Sequence, residues 1–167
     1  MAMMLNDRAL PAVAFVCRCS LSATLAYLAA GWVGLPHPIW ATMSALIVSQ
    51  EKLDATRASL KWRILGTLIG IGIGLAVSLI ASPLGLTLAA QIALSVAISA
   101  VIAHYDPDLR VCMWTGPIVL LTGSPSEPIA MVALYRGSEV MMGALVGGAL
   151  HAVSALAVAR VSGARGG

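Results

Sequence analysis

Charge is scarce in this chain. Asp, Glu, Lys and Arg make up 10% of its 167 residues, while 59% are hydrophobic; an ordinary soluble domain is about 25% charged. A water-soluble fold of this size would not bury that much apolar surface and still cover itself with polar groups. Aromatic residues are also few. The single Phe and three Tyr offer no stacking platform, and the net charge of +3 is scattered, with no Lys/Arg stripe. That pattern excludes a nucleic-acid partner. The three cysteines, Cys17, Cys19 and Cys112, form no C-x-x-C pair, and His37, His104 and His151 add no metal-ligand spacing. The cysteines therefore read as small apolar side chains, and neither metal nor cofactor is expected. No Gly-rich phosphate loop precedes a charged helix and no nucleophile elbow occurs, so no enzyme site is expected. The alternating apolar and polar strands of a membrane barrel are missing too.

What is present is a series of apolar segments separated by short Pro/Gly or polar breaks. They run from about Leu10 to Gly34, from the Pro36/Pro38 break to Gln50, from Ile64 to Ser82, from the Pro83/Gly85 break to Ala103, from Val111 to Gly123, and from about Ile129 to Ala159. The first could be mistaken for a cleaved signal peptide, but Arg18 interrupts it and it is too long. The expectation is an all-α, polytopic membrane protein with six transmembrane helices in residues 10–160, flanked by cytoplasmic tails 1–9 and 161–167. Crossing the hydrocarbon takes ~20 residues; the second and fifth segments fall short and must be tucked among neighbours, extended or broken. With the N-terminus inside, Arg8, Lys52, Arg57, Lys61, Arg63, Arg110, Arg160 and Arg165 are cytoplasmic and Arg136 alone is outside, as the positive-inside rule asks. Membrane lipid is thus a partner, and the bacterial inner (plasma) membrane the expected location. The stretch Glu51–Arg63 is expected to lie along the inner surface as a short separate helix.

Glycine costs a helix about 1 kcal/mol per site, yet Gly66, Gly70 and Gly74 recur four apart, with Thr67 beside them, and Gly143 and Gly147 repeat the device. In lipid, small residues at this spacing let helix backbones approach closely. These residues are the expected helix-packing face, and a natural seat for a second subunit. Slid onto itself so that Arg63 falls on Arg136, the chain also lays Gly70 on Gly143 and Gly74 on Gly147; one residue further lays Trp40 on Trp114. Two repeats of three helices, 10–82 and 83–160, would insert in opposite senses, as in many transporters. The short, interrupted segments at matching places then point to a pathway, with Trp40 in one and Trp114, Thr115 and Pro117, which frees a backbone carbonyl and kinks the helix, in the other.

The block HPIWATMSALIVSQEKLDATRASLKWRILGTLIG resembles the signature of the fusaric acid resistance/aromatic acid exporter family, which is related to the aluminium-activated malate transporters. The matching residues are Trp40, Gln50, Ala55-Thr56-Arg57 and Arg63-x-x-Gly66-Thr67-x-x-Gly70, with a fainter echo in Arg136 and Gly143. The resemblance implies a six-helix unit that exports small organic anions, aromatic acids among them. Members typically carry a large cytoplasmic domain and often two membrane units. This chain has one unit, which leads to the expectation of a homo-oligomer; the alternative is a non-transporting membrane scaffold that packs on a partner through its glycine faces.

Ionisable groups inside the apolar segments each have two readings. Arg18 either faces a water-filled path and draws in an anion or snorkels to the headgroups. Glu139 either carries a coupling proton or pairs with Arg136 one turn away. His151 either relays protons or is a neutral, hydrogen-bonded core histidine. His37 meets substrate at the exit or sits at the interface. Lys61 and Arg63 gather substrate at the cytoplasmic mouth or bind anionic lipid.

Overall fold

The computed structural model describes residues 2–123 and 127–163, and side chains within 12–123 and 127–156. The regular structure of the described residues is all helical, with no strand among them. Six α-helices follow in order: α1 (Ala2–Trp32), α2 (Ile39–Val48), α3 (Leu53–Ala81), α4 (Leu88–Tyr105), α5 (Cys112–Thr122) and α6 (Ile129–Gly163), with a 3-10 turn at Pro107–Val111. Four stretches are long and apolar enough to cross a membrane: Ala12–Trp32, Leu53–Ala81, Leu88–Tyr105 and Ile129–Leu156. The two short helices, of 10 and 11 residues, reach only about 15 Å at ~1.5 Å per residue.

Local chemistry sets the ends. After α1 the chain turns at Gly34, whose φ is +76°, a conformation that only glycine adopts cheaply. Leu35 N–H reaches back to the Ala30 carbonyl at 3.0 Å, which makes a Schellman cap, and the Leu35 side chain packs on the cluster of Ala26, Ala30, Ala41 and Ala45. The same device closes α3: Gly85 has φ +71° and Leu86 N–H bonds the Ala81 carbonyl at 3.1 Å. Thr87 starts α4, its hydroxyl accepting from Ala90 N–H at 3.3 Å. Thr87→Ala is expected to cost about 1 kcal/mol, measured by reversible unfolding in mixed detergent micelles; an unchanged midpoint would show that the cap is idle.

One expectation fails here. Glu51–Arg63 is no separate surface helix: from Leu53 onward it is the opening of one continuous 29-residue helix. No Pro or Gly lies between Leu53 and Arg63 to break it, and the backbone hydrogen bonds simply run on. α1 is helical from Ala2, and its membrane-length apolar stretch is Ala12–Trp32.

The chain divides into two compact units, Met1–Leu60 with Met141–Gly167 and Lys61–Val140, so α3 and α6 each contribute to both. In the first, α1 packs on α2 through Ala26, Ala30, Ala41 and Ala45, with Met142 and Val146 of α6 against them. A methyl at Gly143 would land on the Ala41 backbone carbonyl, and one at Gly147 would lie 2.7 Å from the Ala45 carbonyl oxygen. In the second unit α3 crosses α5. A methyl at Gly70 would lie 2.6 Å from Thr115 Cβ and 3.0 Å from Cys112 Cα, and one at Gly74 2.9 Å from the Gly116 carbonyl oxygen. A methyl at Gly66 would meet Val111 Cβ at 2.8 Å. The face offered in sequence to a second subunit is therefore filled by α5 of the same chain.

Polarity runs inside-out relative to a water-soluble protein. Ser22, Ser44, Ser95, Ser99, Thr67 and Glu139 are buried, whereas Leu68, Leu79, Ile80, Val101, Leu134 and Leu156 are half or more exposed. Water would penalise that arrangement and hydrocarbon favours it.

Candidate functional site

Each unit holds a buried polar cluster. The first unit gathers its cluster from α1, the α2–α3 turn, α3 and α6. Arg18 is 8% exposed. Its Nη2 donates to the Gln50 carbonyl at 2.5 Å, and its guanidinium lies 5.2 Å from the Phe15 ring centre. Gln50 N–H donates to Thr56 Oγ1 at 3.1 Å, and Thr56 Oγ1 lies 2.5 Å from His151 Nδ1. A helix places Arg18, Ser22, Ala26 and Ala30 on one face, and all four are buried. That face meets α2 and buries the arginine with it.

In the second unit Arg136 on α6 lies within electrostatic reach of Glu139, on the same helix, and of Arg63 on α3. Their exposures are 3%, 3% and 1%. Arg136 and Glu139 are three apart on one helix, which puts their side chains on the same face. Two guanidiniums and one carboxylate leave the trio with a surplus positive charge. In the same unit α4 presents Gln91, Ser95, Ser99 and Ala103 at four-residue spacing, all buried, while Cys112 Sγ donates to the Ser99 carbonyl at 3.6 Å. Thr67 is 1% exposed, and its hydroxyl, like those of Ser95 and Ser99, has no hydrogen-bond partner among the described residues.

His37 is exposed and Trp40 half-buried. Lys61 is exposed, with Nζ 4.6 Å from the Trp62 ring centre. Trp114 is 45% exposed. Thr115 is buried, with its hydroxyl donating to the Val111 carbonyl at 2.9 Å, and Pro117 lies buried inside α5. The structure thus joins Arg18 to His151 in one unit and Arg136 to Glu139 and Arg63 in the other. Sequence reasoning passed over Thr56, Gln50 and Ser22 as site residues. Ser22 carried a signal, because it falls one helical turn after Arg18. The Gln50 backbone carried none, because its contact to Arg18 closes a gap of more than thirty residues.

A buried Arg-Glu-Arg trio and a buried Arg-Thr-His string are costly in a membrane and mark functional positions more often than structural ones. The groups offer positive charge and hydroxyls, and among the described residues no cluster of His, Cys, Asp and Glu fits a metal ion. The chemistry on offer is recognition of an anion. No curated protein and no solved structure matches the chain. The sequence model for fusaric acid resistance protein-like proteins matches residues 25–150, a span covering α2 to α5, most of α6 and the end of α1; such domains are typically transporters rather than enzymes. This chain is a multi-pass membrane protein and belongs to the fusaric acid resistance protein-like family, whose members are membrane transport-related.

Proposed function

We propose that the protein exports small organic anions, aromatic acids among them, across the bacterial plasma membrane. The observation that carries this reading is the burial of Arg18, Arg63 and Arg136 in helices whose outer surfaces are apolar. An arginine at the bilayer centre costs ~3 kcal/mol on insertion scales and more in simulations. A scaffold that needed only small-residue packing would gain nothing from keeping three. Glu139 and His151 are the proposed proton carriers that couple export to the proton gradient.

We further propose a frame of six spans arranged as two inverted three-helix repeats, with both termini cytoplasmic. Two features support it. The buried face Arg18, Ser22, Ala26, Ala30 and the buried face Gln91, Ser95, Ser99, Ala103 superpose in the register that lays Arg63 on Arg136. Gly143 also meets Ala41 as Gly70 meets Thr115, the register that lays Trp40 on Trp114. Trp40, Trp114, Thr115 and Pro117 on the short helices are the proposed path lining. His37 is proposed at the outer mouth and Lys61 at the inner one. A homo-oligomer completes the pathway, its contacts on faces other than the filled glycine face.

The test is flux from proteoliposomes loaded with a panel of aromatic acids, with and without an outside-acid pH gradient. Efflux above protein-free vesicles, accelerated several-fold by the gradient, is the expected outcome. Efflux indifferent to the gradient removes proton coupling, and no efflux for any acid removes transport and leaves the scaffold.

A further inference from the structure

The string in the first unit has a deficit that its own residues do not cancel. Arg18, Thr56 and His151 are 8%, 1% and 3% exposed, and the string carries a full positive charge. The acidic side chains described in this unit, Glu51 and Asp54, are both exposed, and Asp54 lies 3.8 Å from Arg57. Arg18 meets a neutral carbonyl and an aromatic ring. Its Nε is buried and finds no acceptor among the described residues. Burying a cation without a counter-charge is unfavourable, and so is burying a donor without an acceptor. The nearby N-terminus of α3, at Leu53, adds the positive end of a helix dipole and deepens the imbalance. One ligand cancels both deficits: a singly charged group that presents an acceptor oxygen to Arg18 Nε.

We infer that Arg18, with Thr56 and His151 beside it, binds the carboxylate of an organic acid. A planar guanidinium suits a planar two-oxygen group better than a spherical halide. Thr56 is the positioning residue. Its hydroxyl accepts from Gln50 N–H and bonds His151 Nδ1; in the tautomer where it gives its proton to Nδ1, the ring hydrogen of neutral His151 sits on Nε2 as a further donor. His151 lies close enough to Arg18 for their charges to interact. The Gln50 side chain beside the site is exposed and, among the described residues, is bonded to the Ile47 carbonyl at 2.8 Å. The identity of the acid rests on the transport reading; the existence of the site does not.

The test uses the full chain in neutral-lipid nanodiscs, labelled with 15N-arginine and titrated with benzoate and, separately, chloride. The Arg18 Nε–H resonance is assigned by its loss in Arg18→Lys. It is expected to move downfield saturably with benzoate, and with chloride only at concentrations about ten-fold higher. Calorimetry should show benzoate affinity falling about ten-fold or more in Arg18→Gln, the loss expected for a charge-assisted hydrogen bond. Thr56→Val keeps the side chain's shape and removes its hydroxyl; it should weaken benzoate several-fold and serves if Arg18→Gln does not fold. A resonance blind to benzoate, native affinity in either folded variant, or chloride binding as tightly as benzoate would each overturn the assignment. Benzoate efflux without binding at Arg18 sinks this site and leaves transport standing. Binding at Arg18 without efflux does the reverse.

Discussion

Gly143→Ala is expected to destabilise the protein by about 3 kcal/mol or more, the upper end for overpacking. The added methyl would meet the carbonyl oxygen, carbonyl carbon and Cα of Ala41. All three are backbone atoms of α2, so no rotamer change relieves the clash and the whole short helix must move. At Gly66 the nearest atom is Val111 Cβ, a side-chain atom, and the cost should be smaller. Gly72 is the control: a methyl there meets nothing within 4 Å. Gly72→Ala should be neutral or stabilising by up to about 1 kcal/mol, the propensity gain of alanine in a helix. Both are read by far-UV circular dichroism during unfolding in mixed micelles. Equal midpoints for the two variants would mean that α2 and α6 are not in backbone contact.

The second large effect lies in the Arg63–Arg136–Glu139 trio, where charge arithmetic predicts an asymmetry. Glu139→Gln leaves two buried guanidiniums within electrostatic reach of each other and removes the carboxylate near Arg136. Arg136→Gln leaves Arg63 and Glu139, one cation and one anion. Breaking a buried pair by removing one partner costs ~3–5 kcal/mol. Glu139→Gln should reach that range, because Glu139 is 1% exposed and water has little access to screen the two cations. Arg136→Gln should cost clearly less, and Arg136→Gln with Glu139→Gln should cost less than Glu139→Gln alone. Unfolding midpoints of the three variants decide it. If Arg136→Gln proves the more damaging single change, Arg63 does not share the carboxylate and the trio is a simple pair.

Several features were legible from residues alone because they depend on local or one-dimensional information. Scarce charge and long apolar runs specify lipid as solvent wherever the helices end up. Positive-φ turns announce themselves as glycines after an apolar run, and both Gly34 and Gly85 close helices. The shortness of the second and fifth segments follows from counting between breakers, and α2 and α5 are short. Boundaries were less legible. Charged residues at Glu51–Arg63 suggested a change of environment, yet charge does not break backbone hydrogen bonds, and the helix runs through.

The site was less legible still. Arg18, Arg136, Glu139 and His151 stand out because ionisable side chains are rare in apolar runs. Thr56 does not stand out, since a threonine near a helix start is commonplace; it matters only because α6 brings His151 to it from 95 residues away. The α4 face of Gln91, Ser95 and Ser99 was readable as a period and was not read, because small polar residues in membrane helices usually bond to their own backbone.

Hydropathy, glycine spacing and chain breakers therefore carried the solvent, the helix count and the close-packing faces, since each depends on residues within a turn or two of one another. Folding decided which partner each face meets: α5 rather than another copy against Gly66, Gly70 and Gly74, a turn carbonyl against Arg18, a second arginine near Arg136. Those pairings close long stretches of chain, and their geometry follows from how the rods cross, which no short window of sequence encodes.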